Sequence, residues 1–306
     1  MLHESILNFF KGVYLLLHGI IWGILKQIIP YRYRCKSVKD ELVLITGTGS
    51  GIGKLLAKRF ADLGARVICV DINQEDNLKT CSEIKSSGVD VYAYQCDLSK
   101  KEDIYRLTDE IKKSIGNPTI IVNNAGIVTG KKFLETPDSL IEKTFQVNAL
   151  SHFWIVKSLL HDMLEKNHGH IVTVASMAGI FGASGLVDYC SSKFAAVGFD
   201  EALRNEFLRI DKMGVKTTLV CPNIINTGMF QGFKVDGIPS LEPEYVADKI
   251  IEGVLTDQEL LMLPRTCYLL YFLKPILPFK FADFLDSEVF KLCHSMDNFV
   301  GRKKNE

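Results

Sequence analysis

Tyr189 and Lys193 stand four residues apart in the run Val187-Asp188-Tyr189-Cys190-Ser191-Ser192-Lys193, and Ser176 lies thirteen residues before the tyrosine. On a helix, positions i and i+4 share a face, so a phenol and an ammonium at this spacing point into one cleft. A fixed positive charge beside a phenol favours the phenolate and lowers a pKa that is ordinarily about 10. The pair is therefore expected to accept a proton near neutral pH. On an exposed helix face the same spacing is only a solvated pair, so the chemistry depends on what lies upstream.

Upstream, Thr46-Gly47-Thr48-Gly49-Ser50-Gly51-Ile52-Gly53 joins an apolar run to a helical pattern. Glycines at such a junction allow a tight turn and let backbone N–H groups approach a pyrophosphate at a helix N-terminus. The turn lacks Gly-Lys-Ser/Thr, so a nucleoside triphosphate loop is not supported. Eighteen residues past Gly53, Asp71 ends the next apolar run, where a carboxylate can accept hydrogen bonds from a ribose diol. Its charge repels a 2′-phosphate, and neither Ser50 nor Ile72 is basic, which favours NAD over NADP. A capping role for Asp71 is the simpler alternative. Asn123-Asn124-Ala125-Gly126 can line the adenine and nicotinamide-ribose side of a cleft, or merely close a turn. Asn148 interrupts a long helical pattern, where asparagine is a mediocre helix former. It either breaks the helix locally or is satisfied by solvent.

These residues must be positioned by an α/β fold. From Leu42 onward, short β-rich runs alternate with amphipathic stretches, the pattern of a doubly wound parallel sheet of about seven strands. Strands are expected at Leu42 to Thr46, Arg66 to Asp71, Val89 to Gln95, Thr119 to Val122, His170 to Ala175, Val215 to Val220 and Leu260 to Leu263. Helices are expected from Ile52 to Leu63 and, as one long element, from about Ser139 to Lys166. The expected organisation is an N-terminal anchor and basic flank over 1–39, a dinucleotide-binding domain over 40–263, and an apolar extension with a basic tail over 264–306. The extension is broken by Pro264, Pro275 and Pro278, which rule against one straight spanning helix. It reads as a substrate lid, a membrane contact or a packed continuation of the core.

Composition narrows the class. With 36 basic and 36 acidic side chains in 306 residues, no basic excess speaks for nucleic acid. Eight cysteines without a Cys-x-x-Cys pair argue against a zinc site or a disulfide framework, and no metal is expected. Residues 6–29 are almost wholly apolar, long enough to cross a bilayer or lie in its interface. Their few polar residues, with Glu4 just before them, fall on one narrow stripe (Glu4, Asn8, Lys11, His18 and Lys26) that Leu15 and Trp22 share. Arg32, Arg34, Lys36 and Lys39 follow, which keeps the rest of the chain cytosolic by the positive-inside rule.

Taken together, Thr46-Gly47-x-x-x-Gly51-x-Gly53, Asn123-Asn124-Ala125-Gly126, Asn148, Ser176 and Tyr189-x-x-x-Lys193 resemble a short-chain dehydrogenase/reductase over residues 40–260. The apolar N-terminus, the run Asn124 to Phe133, and Cys221-Pro222-Asn223 with Asn226-Thr227-Gly228 resemble one membrane-bound subgroup. It contains epidermal-type retinol dehydrogenases and lipid-droplet 17β-hydroxysteroid dehydrogenases. Asn223 departs from the glycine that many family members carry, a trait the subgroup shares. The resemblance implies a Rossmann fold and hydride transfer to NAD from a lipophilic alcohol, retinol first and a steroid second. It implies Tyr189 as acid/base, Lys193 on the nicotinamide ribose, Ser176 on the substrate oxygen and Asn148 positioning a relay water. Thr46, Gly47, Ser50, Gly51, Ile52, Gly53, Asp71, Asp97, Asn124, Ala125, Gly126, Pro222 and Thr227 are then cofactor contacts, with Asp97 at the adenine edge and Thr227 at the carboxamide. A homo-oligomer is implied too. The terminal Lys303-Lys304-Asn305-Glu306 resembles a dilysine retrieval signal, which with the anchor points to the endoplasmic reticulum membrane or a lipid droplet. The rival outside enzymology is a catalytically idle membrane or lipid-droplet protein on the same fold.

Overall fold

The computed structural model describes the chain except residues 1, 86–87, 234, 236–238, 292–293 and 302–306, and except the side chains of residues 2, 3, 22, 24, 26, 27, 282 and 286. The chain forms two compact units, Met1–Ser37 and Val38–Glu306. The terminal dilysine tetrapeptide lies outside the described residues, as do the side chains of Trp22 and Lys26 on the polar stripe.

In the larger unit, seven strands form one parallel sheet in the order β3-β2-β1-β4-β5-β6-β7. They are β1 (Leu42–Thr46), β2 (Arg66–Asp71), β3 (Val91–Gln95), β4 (Ile120–Asn123), β5 (Gly169–Val174), β6 (Val215–Pro222) and β7 (Leu260–Leu263). A parallel sheet covered on both faces selects continuous apolar runs rather than alternation, and β1, β4 and β5 are buried at every position. Covering helices include α2 (Gly51–Asp62), α3 (Gln74–Lys85), α4 (Lys101–Ser114), α5 (Asp138–Phe145), α6 (Ser151–Lys166), α7 (Val187–Arg209) and α8 (Pro243–Leu255). Ile104, Leu107 and Ile111 of α4 meet Ile155, Leu159 and Met163 of α6 over Leu44, Ile68 and Ile121 of the sheet, which forms the larger core.

The expected doubly wound sheet is present, with boundaries displaced by one or two residues. β3 starts at Val91, where its register with Val67 begins. The helix expected from Ser139 to Lys166 is not regular throughout: a π turn, Gln146–Leu150, separates α5 from α6 and holds Asn148 at its centre. Of the two readings of Asn148, local breakage of the helix is the one found. A π turn is an inserted residue in the helical ladder, and such turns gather at functional sites.

Register brings the sequence motifs to one edge. Thr46 pairs with Val70, Ile45 with Val122 and Asn123 with Thr173, so Thr46, Asp71, Asn123 and Ser176 all lie at the carboxyl ends of strands. The order reverses between β1 and β4, and ligands of open α/β sheets bind at that switch point. Past β7, α9 (Thr266–Leu273) and α10 (Phe279–Phe284) form the apolar extension.

The smaller unit carries α1 (Leu2–Ile28), 27 residues long. Its apolar side chains, including Phe9, Phe10, Leu16 and Ile21, are exposed. Among the described residues no helix is long and apolar enough to cross a membrane.

Candidate active site

α7 presents Tyr189 and Lys193 to the carboxyl edge of the sheet, and both are buried, at 4% and 3% exposure. Lys193 Nζ donates to the Val174 carbonyl at 2.9 Å and lies 5.8 Å from the centre of the Tyr189 ring. Ser176, just past β5, caps a short 3-10 turn: its Oγ accepts from Ala178 N at 3.1 Å and donates toward the Pro222 carbonyl at 3.4 Å. Burial pushes the Tyr189 phenol well above its ordinary value, and the interaction with the Ser176 hydroxyl opposes this only in part. Burial also pushes the Lys193 ammonium down, to about 8. The lowering of the Tyr189 pKa expected from Lys193 is not found: burial sets the direction.

Asn148 is fully buried and its side chain is committed. Oδ1 accepts from Ile127 N at 2.8 Å, and Nδ2 donates to the Ile127 carbonyl at 2.9 Å and to Ser192 Oγ at 3.0 Å. Ser192 Oγ in turn donates to the Tyr189 carbonyl at 2.7 Å. The amide thus ties the segment after Gly126 to the first turn of α7, leaving its backbone in the π turn. A Cβ on Gly126 would stand 3.4 Å from Asn148 Oδ1 and 3.6 Å from Lys193 Nζ, which places these three residues in one corner.

The glycine turn lies at the other end of the same cleft. Gly47 and Gly51 take the left-handed backbone, with φ of 75° and 58°. A side chain on Gly53 would meet the Gly47 carbonyl at 2.0 Å, so α2 can start this close to β1 only with glycine there. Asp71 Oδ2 accepts from Gly49 N at 2.8 Å and Oδ1 from Asn73 N at 2.8 Å, so the carboxylate is fixed against the turn. Asp97 is tied to Ser99 through N (3.0 Å) and Oγ (2.7 Å); burial raises its pKa, but these bonds prevail and leave it lowered. Thr227 faces Gly51, its Cβ 3.5 Å from where a Gly51 side chain would begin.

A cavity of about 1350 Å³ connects the two ends. Its wall carries Gly47, Ser50, Gly51, Ile52, Gly53, Asp71, Asp97, Asn124, Ala125, Gly126, Ser176, Tyr189, Lys193, Pro222 and Thr227. Two predicted residues are absent from that wall. Thr46 is buried and accepts the backbone N–H groups of Asn124 and Ala125 through Oγ1, each at 3.0 Å. Asn148 lies behind it, bonded as above. The cavity then continues past Tyr189 into an arm lined by Phe181, Leu186, Met229, Phe230, Phe233, Leu270, Leu273, Ile276 and Phe290. The polar side chains at its outer part are Tyr271, Lys274 and Asp283. Lys274 is engaged: it donates to the Ile180 carbonyl and stands over the rings of Phe181 and Phe194 at 5.2 and 5.1 Å.

The extension 264–306 is both packed and open. Its root is anchored by Tyr268, whose hydroxyl donates to the Leu260 carbonyl at 2.7 Å. Its tip exposes Phe272, Ile276, Phe279 and Phe284, with Phe279 at 88%. Among the described residues no group of acidic, histidine and cysteine side chains could hold a metal ion.

Some supporting residues were not picked out from the sequence. Asp188 Oδ2 accepts from Thr129 Oγ1 at 2.6 Å and Thr144 Oγ1 at 3.0 Å, pinning the start of α7 to α5 and to the segment after Gly126. Thr48 Oγ1 donates to Asn77 Oδ1 at 2.7 Å, and Thr80 Oγ1 donates to the Thr48 carbonyl at 3.0 Å, bracing the glycine turn from α3. An acid beside the tyrosine was the only signal for the first brace, and nothing local marked the second.

This geometry suits a dinucleotide lying from Asp71 across the glycine turn to Lys193, with an alcohol or carbonyl beside Tyr189 and Ser176. The donor set is acidic at the ribose end, hydrogen-bonding at the phosphate turn and cationic at the buried end, which fits such a group. Comparison with known proteins points the same way. The family model described as short chain dehydrogenase matches residues 41–236. The chain is 46% identical over 299 residues to human "Epidermal retinol dehydrogenase 2", covering 96% of this chain and 94% of that one. In fold it is similar to a short chain dehydrogenase/reductase from Burkholderia phymatum in complex with NAD, with a TM-score of 0.72 at 22% identity over 79% of this chain and 95% of that one. A metagenomic short-chain oxidoreductase in complex with NADP matches with a TM-score of 0.64 at 23% identity, over 74% of this chain and 97% of that one.

Proposed function

This chain belongs to the short-chain dehydrogenase/reductase family, oxidoreductases of CH–OH groups that use a nicotinamide dinucleotide, and from that premise we propose that it oxidises all-trans-retinol to retinal with NAD. The observation that carries the reading is the shape of the cavity: one polar corner at Ser176, Tyr189 and Lys193, continued by a long apolar arm. A primary alcohol at the end of an apolar body, with no second polar group, matches it. A steroid carries a second oxygen, which among Phe230, Phe233, Leu270 and Phe290 is costly to bury unless it reaches Tyr271, Lys274 or Asp283. The name of the human relative supports the retinoid as well.

A bound oxidised nicotinamide would supply the hydride acceptor for the carbinol carbon. The glycine turn, Asp71, Asp97, the Asn124–Gly126 corner, Lys193, Pro222 and Thr227 are the residues that would hold it. Ser176 orients the substrate hydroxyl toward Tyr189, and the Tyr189 oxygen takes its proton. Lys193, an ammonium whose pKa burial lowers to about 8, gives its own proton to solvent and takes in exchange the one Tyr189 has received, which returns the tyrosine to its phenolate.

The substrate class implies delivery from a lipid phase. At the exposed tip of the extension Phe272, Ile276 and Phe279 border the same arm, and together with the exposed Phe284 they are suited to dip into a membrane. With the apolar α1, this supports residence on the cytosolic face of the endoplasmic reticulum or on a lipid droplet. Leu150, Phe153, Val187 and Phe194 on α6, α7 and the π turn stay exposed, a face suited to a second copy of the chain.

Membrane fractions carrying the protein should form retinal from all-trans-retinol faster with NAD than with NADP, and faster than they oxidise oestradiol. Oestradiol turnover exceeding retinol turnover would replace this reading with the steroid one. A protein that binds NAD yet oxidises neither would leave the idle membrane protein.

Asp71 gives a separate prediction. Asp71→Ser should narrow the preference for NAD over NADP by about tenfold or more, since a like charge removed from the ribose end is worth about 1–2 kcal/mol. Initial rates with both cofactors check it. An unchanged ratio would remove Asp71 from the ribose contact.

A further inference from the structure

The chain's last described residues return to the active-site wall. Val300 N and Gly301 N both donate to the Gln231 carbonyl, at 2.9 and 3.3 Å. Three separate loops present glycines to this segment. A Cβ on Gly130 would lie 2.1 Å from the Phe299 ring, one on Gly232 would lie 1.9 Å from the Asn298 carbonyl oxygen, and one on Gly185 would touch Met296 at 3.1 Å. No side chain fits at the first two contacts, so the approach is built from both sides.

What the segment touches leads to the catalytic tyrosine. Phe299 stacks edge-on against Phe230, with ring centres 6.3 Å apart and planes inclined by 62°. Phe230 makes the same kind of contact with Phe233 at 5.6 Å and with Tyr189 at 5.4 Å. Met296 packs against the cluster of Leu186, Tyr189 and Cys190. Phe230 lines the cavity arm, whereas Phe299 stands one layer behind it. A wall residue held only by its own loop would leave the arm loosely shaped; a second layer fixes it.

We propose that residues 296–300 form a strap that shapes the apolar arm, with Phe299 a positioning residue that acts through Phe230 to make the site select long apolar alcohols. The proposal rests on reading the arm as the place of such an alcohol. It assigns the strap no contact with the reacting atoms. Its loss should therefore appear in affinity for the long substrate rather than in the chemical step.

The test uses the full chain in membranes or detergent, with Phe299→Ala and the conservative Phe299→Tyr. Binding of retinol and of a fluorescent long-chain fatty alcohol is measured by fluorescence, alongside kcat and KM for retinol. Phe299→Ala should weaken both apolar ligands and raise KM by up to about tenfold, the worth of an edge-on aromatic pair. kcat should stay within about twofold and NAD affinity should be unchanged, while Phe299→Tyr should behave as wild type. Gly130→Ala, which displaces the ring from the opposite side, should reproduce the alanine phenotype. Wild type that binds both ligands without oxidising retinol would overturn the proposed activity but leave the strap standing on the binding shifts. Phe299→Ala binding both ligands as wild type does would overturn the strap, as would wild type binding neither ligand. A uniform fall in kcat, KM effects and NAD affinity together would mark a general folding role and overturn it too.

Discussion

A Tyr189→Phe enzyme is expected to lose retinol oxidation by about 10²–10⁴-fold while binding NAD with wild-type affinity. The substitution removes one oxygen and keeps the ring, so the edge-on contact with Phe230 at 5.4 Å survives and α7 keeps its seat. What disappears is the single group placed to take the hydroxyl proton at the corner shared by Ser176 and Lys193. Direction of pH dependence follows from the site. Burial holds the phenol above its ordinary value, and Ser176 offsets this only in part, so Tyr189 carries its proton at neutral pH. Oxidation needs that proton gone. Wild-type kcat for retinol should therefore climb as pH rises, whereas retinal reduction, which needs the proton present, should fall. Steady-state rates in both directions across pH check this, with Tyr189→Phe flat and near zero. Turnover by the variant within a few-fold of wild type would place the acid/base elsewhere.

The direction of that shift in the Tyr189 pKa was not legible from the sequence, and the reason is instructive. Tyr189 and Lys193 at i and i+4 correctly indicated a shared helix face, because local spacing alone fixes it. Whether a phenol's pKa goes up or down depends on how much water the fold removes around it, and that is set by Leu186, Phe230 and Met296, which are distant or unremarkable in sequence. Asn148 shows the same division. Its poor fit in a helix was readable and marks a π turn, but its partners Ile127 and Ser192 come from two other segments. Thr46 was read as a cofactor contact from its place before Gly47, yet its hydroxyl is occupied by the N–H groups of Asn124 and Ala125. The strand runs were legible because a buried parallel sheet requires unbroken apolar stretches. The strap was not, since Phe299 in a polar tail acquires meaning only when the tail folds back onto Gly130.

Asp200→Asn is expected to stabilise the protein at pH 8 by on the order of 2–4 kcal/mol and to leave it nearly unchanged at pH 4. Asp200 lies on α7, two turns beyond Lys193, and is completely buried. Both of its carboxylate oxygens lack a hydrogen-bond partner, and so do the hydroxyls of Thr173 and Thr217. Those hydroxyls are near enough to pull its pKa down without closing a bond, and Arg204 Nη2 stands 3.9 Å from Oδ2. Burial dominates all three and pushes the carboxyl up to about 7. Below the ordinary carboxylate range the folded and unfolded chains both hold the proton, so the group has no effect on stability. Between about 4 and 7 the folded chain keeps a proton that the unfolded chain has released, and stability falls as pH rises. Above 7 the full loss is in place. Asparagine has the same shape, never ionises, and offers an oxygen to Thr173 or Thr217, so its stability should not decline through that window. Thermal melts of both proteins from pH 4 to 8 should diverge progressively, with the variant several degrees higher at the alkaline end. Parallel curves would mean that Asp200 releases its proton at an ordinary pH, and that the Arg204 guanidinium compensates its charge despite the burial.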